Sequence, residues 1–218
     1  MIMAYPKLPS VSKILNKTQS IEKKTMLANW RARVGESEAE AIIANSKVRG
    51  EVIHALIEER LKGNEPAIQQ RYDTEYLETL EVFKYWEQMD LLLPKIEYPF
   101  AIEQPVIHGE LDYQGRFDLL AYWEGKLTII DFKTKSKPVL ETWLEDDFTQ
   151  LAAYAGAIEY ARPELKVEQG LIIALTPNGK QLFVLDKEQL NGFWNAWLLR
   201  LLDYGVEESV VTPYLQIG

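Results

Sequence analysis

The sequence predicts an α/β (α+β) domain, a central mixed sheet flanked by helices. Two observations predict it. Residues up to about 90 hold only helical periodicity, and at Ile96 the period becomes strand-like. Three successive strand runs follow, and helix and strand patterns then alternate to Tyr204.

An extended Leu8-Pro9-Ser10 segment leads into a short helix through Asn16, with Ser10 or Ser12 offering an N-cap hydroxyl. Residues 20–34 and 36–62 follow as two helices separated at Gly35. In the second, Val48, Val52, Ile53, Leu56, Ile57 and Leu61 recur at three- and four-residue spacing and mark its inner stripe. Gly63-Asn64-Glu65-Pro66 ends it. Residues 72–90 read as one further helix, with Tyr76, Leu80, Phe83 and Trp86 as the stripe. Residues 96–107, 110–123 and 126–133 form an antiparallel meander. A helix over 145–161, strands over 167–176 and 181–185, and a helix over 187–204 complete the order. Phe193, Trp197, Leu198 and Leu201 make the last helix amphipathic. The chain divides as one domain: a helical region 1–92, a core 93–186, and a C-terminal helix and tail 187–218.

Apolar residues at 47% and charged residues at 26% are ordinary for a globular protein. No apolar run reaches the roughly 18 residues of a membrane span, so no membrane partner is expected. Without cysteine there are no disulfides or thiolate zinc sites, which fits a reducing compartment. The opening MIMAYPKLPSVSK has the form of neither a signal nor a transit peptide, so a bacterial or phage-infected cytoplasm, or a mature form rather than an unprocessed organellar precursor, is expected. The net charge is −9, but it is unevenly spread. Residues 1–50 carry nine Lys/Arg (Lys7, Lys13, Lys17, Lys23, Lys24, Arg31, Arg33, Lys47, Arg49) against four Glu, a net of +5 that leaves −14 for the rest. A basic stretch on an acidic body can meet a phosphate backbone locally while discouraging indiscriminate duplex binding.

The strand run GRFDLLAYW-EG-KLTIIDFKTK turns at Glu124-Gly125, a pair suited to a two-residue hairpin. If Trp123 pairs with Lys126, then Leu119 lies opposite Ile130 and Asp118 opposite Asp131. Opposed carboxylates about 5 Å apart repel unless a cation lies between them or one holds a proton. Lys133, two residues past Asp131, projects from the same face. Two acids with a lysine beside them on a strand buried on both faces point to a metal-dependent hydrolytic centre. His54 sits on a helix whose inner stripe avoids it and offers an imidazole nitrogen; Gln150 and Tyr154 form an i,i+4 pair. Alone, each of these is more often structural than functional, and His108, beside Gly109 in a turn, is left as structural.

In this order, His54, then G-R-F-D at 115–118, I-D-F-K at 130–133 and Q-L-A-A-Y at 150–154, the residues resemble the PD-(D/E)XK nuclease superfamily in its RecB-like branch. LPSVSKIL at the start, RG-x-x-x-H at 49–54, IIDFKTKSKP at 129–138, QLAAYAGAIEY at 150–160 and WNAWLLRLLDY at 194–204 are similar to the mitochondrial genome maintenance exonucleases and their phage and bacterial relatives. The resemblance implies a restriction-endonuclease-like core with an N-terminal helical arch. It implies hydrolysis of single-stranded DNA from free ends, with Mg²⁺ or Mn²⁺ as cofactor. Asp118, Asp131, the Phe132 carbonyl and His54 would ligate the ion; Asp118, Asp131, Lys133 and Gln150 would be catalytic. Tyr154, Arg49, Lys47, Arg31, Arg33, Trp30 and Lys135 would contact DNA, with Trp30 stacking on a base. The stretch between Glu103 and Asp118 is longer than the family's usual spacing, which leaves open whether Glu103 plays the accessory carboxylate role of some relatives. A monomer is expected. The competing expectations are an inactive DNA-binding protein on the same fold, a structure-specific endonuclease, and an exonuclease that resects duplex ends.

Overall fold

The structure is a computed structural model, and it describes residues 8–64 and 73–215. Lys7 of the basic stretch, Glu65-Pro66 of the helix-stop signal, Tyr72 and the last three residues lie outside the described residues.

Five strands, β1 (Glu97–His108), β2 (Tyr113–Trp123), β3 (Lys126–Thr134), β4 (Gln169–Thr176) and β5 (Gly179–Leu185), form one sheet in that order. At the β2–β3 turn Glu124 and Gly125 both take positive φ, 52° and 76°, as a tight two-residue hairpin demands. The pairing runs from Trp123–Lys126 to Leu119–Ile130, the register that the turn implies. β3 and β4 are parallel, and the other neighbours are antiparallel. A parallel neighbour requires a crossover, supplied by α6 (Glu145–Ala161). β4 is buried along its whole length, as expected of a strand covered on both faces.

The two faces carry separate cores. α1 (Val11–Lys17), α6 and α7 (Lys187–Tyr204), with α8 (Glu208–Val211), pack on one face, where Ile14, Tyr113, Leu151, Trp197 and Leu201 are buried. The other face receives α3 (Glu36–Leu61), α4 (Thr74–Thr79) and α5 (Val82–Asp90), burying Ile53, Ile57, Leu77, Tyr85 and Met89. Each such side chain stabilises the layer by roughly 1.5–3 kcal/mol relative to exposure. Leu119, Ala121, Ile130 and Phe132 serve the second core, Leu120, Leu127 and Ile129 the first, in the alternation of a strand.

Helix starts follow their capping residues. Ser10 accepts from the Lys13 N–H and Ser20 from the Lys23 N–H, while Asp186 and Gln189 form a reciprocal capping box on α7. α2 (Ile21–Val34) buries none of its residues and meets α3 at Gly35, whose φ is 89°. Its first turn is tied down through Lys23, which pairs with Asp146 of α6. Arg200 of α7 holds the same carboxylate at 2.8 Å and also reaches the Thr18 carbonyl.

The expected helix over 72–90 is instead two. Glu81 takes the left-handed conformation, φ 54°, and separates α4 from α5. One residue of that kind resets the helical phase, so the buried set becomes Leu77, Leu80, Val82, Tyr85 and Met89. Tyr76 and Phe83, expected inside, are 36% and 41% exposed. The remaining differences are short: β2 starts at Tyr113 because Asp112, φ 51°, closes the preceding turn.

Candidate functional site

Where β2 and β3 leave their last paired residues, side chains from both layers converge. Asp118 stands one residue beyond the Leu119–Ile130 pair, and its Oδ2 accepts the Phe132 N–H at 2.8 Å. Asp131 follows Ile130, its side chain on the α6 side with Lys133. Lys133 Nζ donates to Asp131 Oδ1 at 3.1 Å and to Gln150 Oε1 at 3.0 Å, and lies 3.2 Å from Asp147 Oδ1. An ammonium only donates, so Gln150 must present its oxygen, which leaves Nε2 to donate to the Tyr154 hydroxyl at 3.0 Å. From the opposite layer α3 contributes His54. Its Nε2 lies 2.9 Å from the Phe132 carbonyl, and its Nδ1 lies 3.3 Å from Glu103 Oε1 and 3.6 Å from Asp118 Oδ1.

The electrostatics follow from burial among like charges. Burial pushes Asp131 up to about 7, opposed by Lys133 and assisted by the neighbouring Asp118 and Asp147 carboxylates. Burial also raises Asp118, although His54 and Lys133 oppose it. Burial works against the Lys133 charge, but Asp131, Asp147 and Asp118 outweigh it and hold the ammonium well above its ordinary range. Burial likewise disfavours imidazolium at His54, yet Asp118, Glu103 and Asp131 raise it to about 9. Without another cation the site therefore holds charge at His54 and Lys133 and resists ionising both aspartates.

These residues fit a divalent ion. Ligating atoms of His54, Glu103 and Asp118 all lie within 4.8 Å of one another. Asp131 Oδ2 is buried and accepts no hydrogen bond, although Lys133 Nζ stands 3.0 Å away. Carboxylate oxygens with one imidazole nitrogen make a hard-to-borderline donor set, and a dipositive ion would relieve the repulsion that raises both aspartates. The ring ligates only after giving up its second proton.

Lys133, Gln150 and Tyr154 thus form one hydrogen-bonded chain, and His54, Asp118 and the Phe132 carbonyl meet at its other side. Tyr154 is buried at 5% exposure, its ring against Gly115, so that its hydroxyl touches Gln150 rather than open surface. The basic residues of the helical region divide. Trp30 and Arg33 line a groove with Lys135, whereas Lys47 pairs with Glu51 at 3.8 Å and Arg31 with Glu36. Arg49 lies over the Tyr85 ring at 4.9 Å with its Nε buried and unpartnered. His108 is buried in an aromatic cage with Tyr160 and Tyr113, remote in role from these groups.

One acid, Asp147, escaped the sequence reading, and the role of another, Glu103, was left open by it. Asp147, on the first turn of α6, was legible as the i−3 neighbour of Gln150. Glu103 was not. It occupies a left-handed position, φ 49°, beyond the register shift between Glu97 and Ala101, where strand alternation no longer says which way a side chain points. Arg116 holds it, Nε donating to the Glu103 carbonyl at 2.9 Å and lying 3.1 Å from its Oε2.

A mixed sheet between helical layers, carrying paired acids and a lysine on adjacent strands, is the architecture of a nuclease core, and the chain belongs to the PD-(D/E)XK nuclease superfamily, whose family model matches residues 28–208. Nucleases of this superfamily use divalent metal ions. The chain is similar to mitochondrial genome maintenance exonuclease 1 of Xenopus tropicalis, 31% identical over 218 residues covering 93% of this chain and 58% of that protein. The Mus musculus protein of that name is 30% identical over 213 residues (90% and 59% coverage), and that of Homo sapiens 29% over 206 residues (90% and 58%). The chain spans less than two thirds of the length of these relatives. No helix among the described residues is long and apolar enough to cross a membrane.

Proposed function

We propose that the chain is a metal-dependent exonuclease that hydrolyses single-stranded DNA from free ends. The observation that carries this reading is the convergence of Asp118, Asp131 and Lys133 with His54 and Glu103 in a chain of this superfamily. Asp118, Asp131, His54, Glu103 and the Phe132 carbonyl are the residues that would hold Mg²⁺ or Mn²⁺. Bound there, a divalent ion supplies an activated water and offsets charge on the phosphate oxygens.

Lys133 is the electrostatic partner of the reaction. Three carboxylates keep it charged, so it presents a fixed donor to the attacking water and to the oxygen on which charge develops at phosphorus. Gln150 accepts from Lys133 and donates to the Tyr154 hydroxyl, so these two residues set the direction of the ammonium. Arg116 fixes Glu103, and Glu103 in turn faces His54. Trp30, Arg33 and Lys135 line one groove, where a base and its phosphates find an aromatic face and two cations.

Linear oligonucleotides labelled at the 5′ or 3′ end, and a ligated circle of the same sequence, separate this reading from its competitors. With Mg²⁺ or Mn²⁺ the linear strand disappears and the circle persists; with EDTA neither is cut. Loss of the circle at the same rate rejects end-dependence, and survival of every substrate in both metals rejects the enzyme.

A further inference from the structure

Beside the acidic site, α2 and the segment after β3 enclose a groove of about 1140 Å³. One wall is α2, with Thr25, Asn29, Trp30 and Arg33; the other is the segment 135–143, with Lys135, Lys137 and Trp143. Trp143 is 63% exposed, unusual for a tryptophan that no packing requires to be outside. It also borders a second, smaller hollow beyond, where Lys23 and Arg200 are both already engaged by Asp146. The cations of the larger groove are in a different state. Arg33 and Lys137 are exposed and make no ion pair among the described residues, while Lys135 is 3.9 Å from Asp147. The groove therefore carries uncommitted positive charge up to Trp143, against one carboxylate, Glu22.

Aromatic faces interleaved with free cations suit a strand whose bases are unstacked and whose phosphates are continuous. A duplex keeps its bases stacked on one another and has no face to offer Trp143. We propose that this groove binds single-stranded DNA adjoining the scissile phosphate, with Trp143 and Trp30 stacking on bases and Arg33 and Lys137 holding phosphates. Trp143 and Lys137 thereby become determinants of the preference for single strands. The proposal rests on the nuclease reading above. It adds a second wall, on the chain that leaves the D-x-K strand, to the contacts expected of the helical region. The connection is direct: Lys135 is two residues past Lys133, so the groove opens at the end of the strand that bears the lysine.

The test is binding rather than cleavage, which keeps it apart from the fate of the nuclease reading. Affinity for a fluorescent oligothymidylate is measured in EDTA with the whole chain, and again in the Lys133→Ala background. Trp143→Ala weakens binding about 5- to 160-fold, the range for one stacked base, and Trp143→Phe recovers most of it. Arg33→Ala and Lys137→Ala each shallow the dependence of log affinity on log salt by about 0.7, one phosphate on a single strand. Blunt duplex affinity changes little in any variant. Unchanged affinity in Trp143→Ala together with unchanged salt slopes overturns the proposal, as does an equal loss for duplex. Circular dichroism of each variant identifies a folding defect, and the Phe variant then decides the matter. Binding without cleavage in the wild type would reject the nuclease reading while the groove is still judged on these affinities.

Discussion

A single methyl group at Gly115 should inactivate the site from a distance. A Cβ built there falls 2.3 Å from Tyr154 Cε1, closer than real side chains approach, and 3.2 Å from two further ring atoms. The ring cannot swing outward, because Tyr154 belongs to the buried core on the α6 side. Relief requires a displacement of the order of 1 Å, and overpacking of this kind costs about 1–3 kcal/mol. At about 2 kcal/mol, a domain of this size loses roughly 4–8 °C of Tm. The functional cost is larger, since the displaced hydroxyl holds Gln150 at 3.0 Å and Gln150 holds Lys133 at 3.0 Å. Misplacing such a group by this distance lowers the rate about 10- to 100-fold. The assay is a double-mutant cycle read by thermal melts and by single-turnover cleavage of linear DNA. Tyr154→Ala alone is costly through its cavity, yet adding Gly115→Ala to it should cost almost nothing, because the clash is gone. A Gly115→Ala protein with wild-type Tm and rate, or strictly additive effects in the double variant, refutes the reasoning.

Replacing Lys133 by Ala should reduce cleavage by at least about 10²-fold, since it removes the ammonium held between Asp131 and Gln150, with circular dichroism reporting a retained fold. Glu103→Gln should weaken Mn²⁺ binding by about 10-fold or more in titration calorimetry, because it removes one of the three grouped donors. His108 gives a pH test away from the site. Its Nδ1 accepts the Leu111 N–H at 3.3 Å, and burial lowers it from 6.5 to about 4. Between those values the unfolded chain binds a proton that the folded chain refuses, so stability is fully present above 6.5 and falls as pH drops towards 4. The loss should approach about 2–3 kcal/mol in urea unfolding, and His108→Phe should flatten the difference between pH 7 and pH 5.

The parts of the fold legible in the sequence were those governed by local rules. Glu124-Gly125 specified a turn with two positive φ values, and from it the pairing of Leu119 with Ile130 followed by counting. The helices over 145–161 and 187–204 ended where their patterns end. What failed shares one cause. Glu81, Tyr98 and Glu103 are non-glycine residues with positive φ, and nothing in their chemistry announces that conformation. Glu81 split a helix, and Glu103 delivered a carboxylate to the site from a strand whose alternation had already been interrupted. The fate of the basic stretch was equally invisible. Arg31 and Lys47 found acidic partners one helical turn or a short loop away, while Arg33 kept its charge for the groove.

His54 reaches the Phe132 carbonyl from one helical layer, while Lys133 reaches Gln150 on the other. The proposed nuclease activity therefore requires two independent dockings at once, and it should be the first property to disappear under mild heating or low urea. Loosening of α3–α5 alone would silence the protein while its far-ultraviolet signal stayed nearly native, so turnover can serve as an early sensor of partial unfolding.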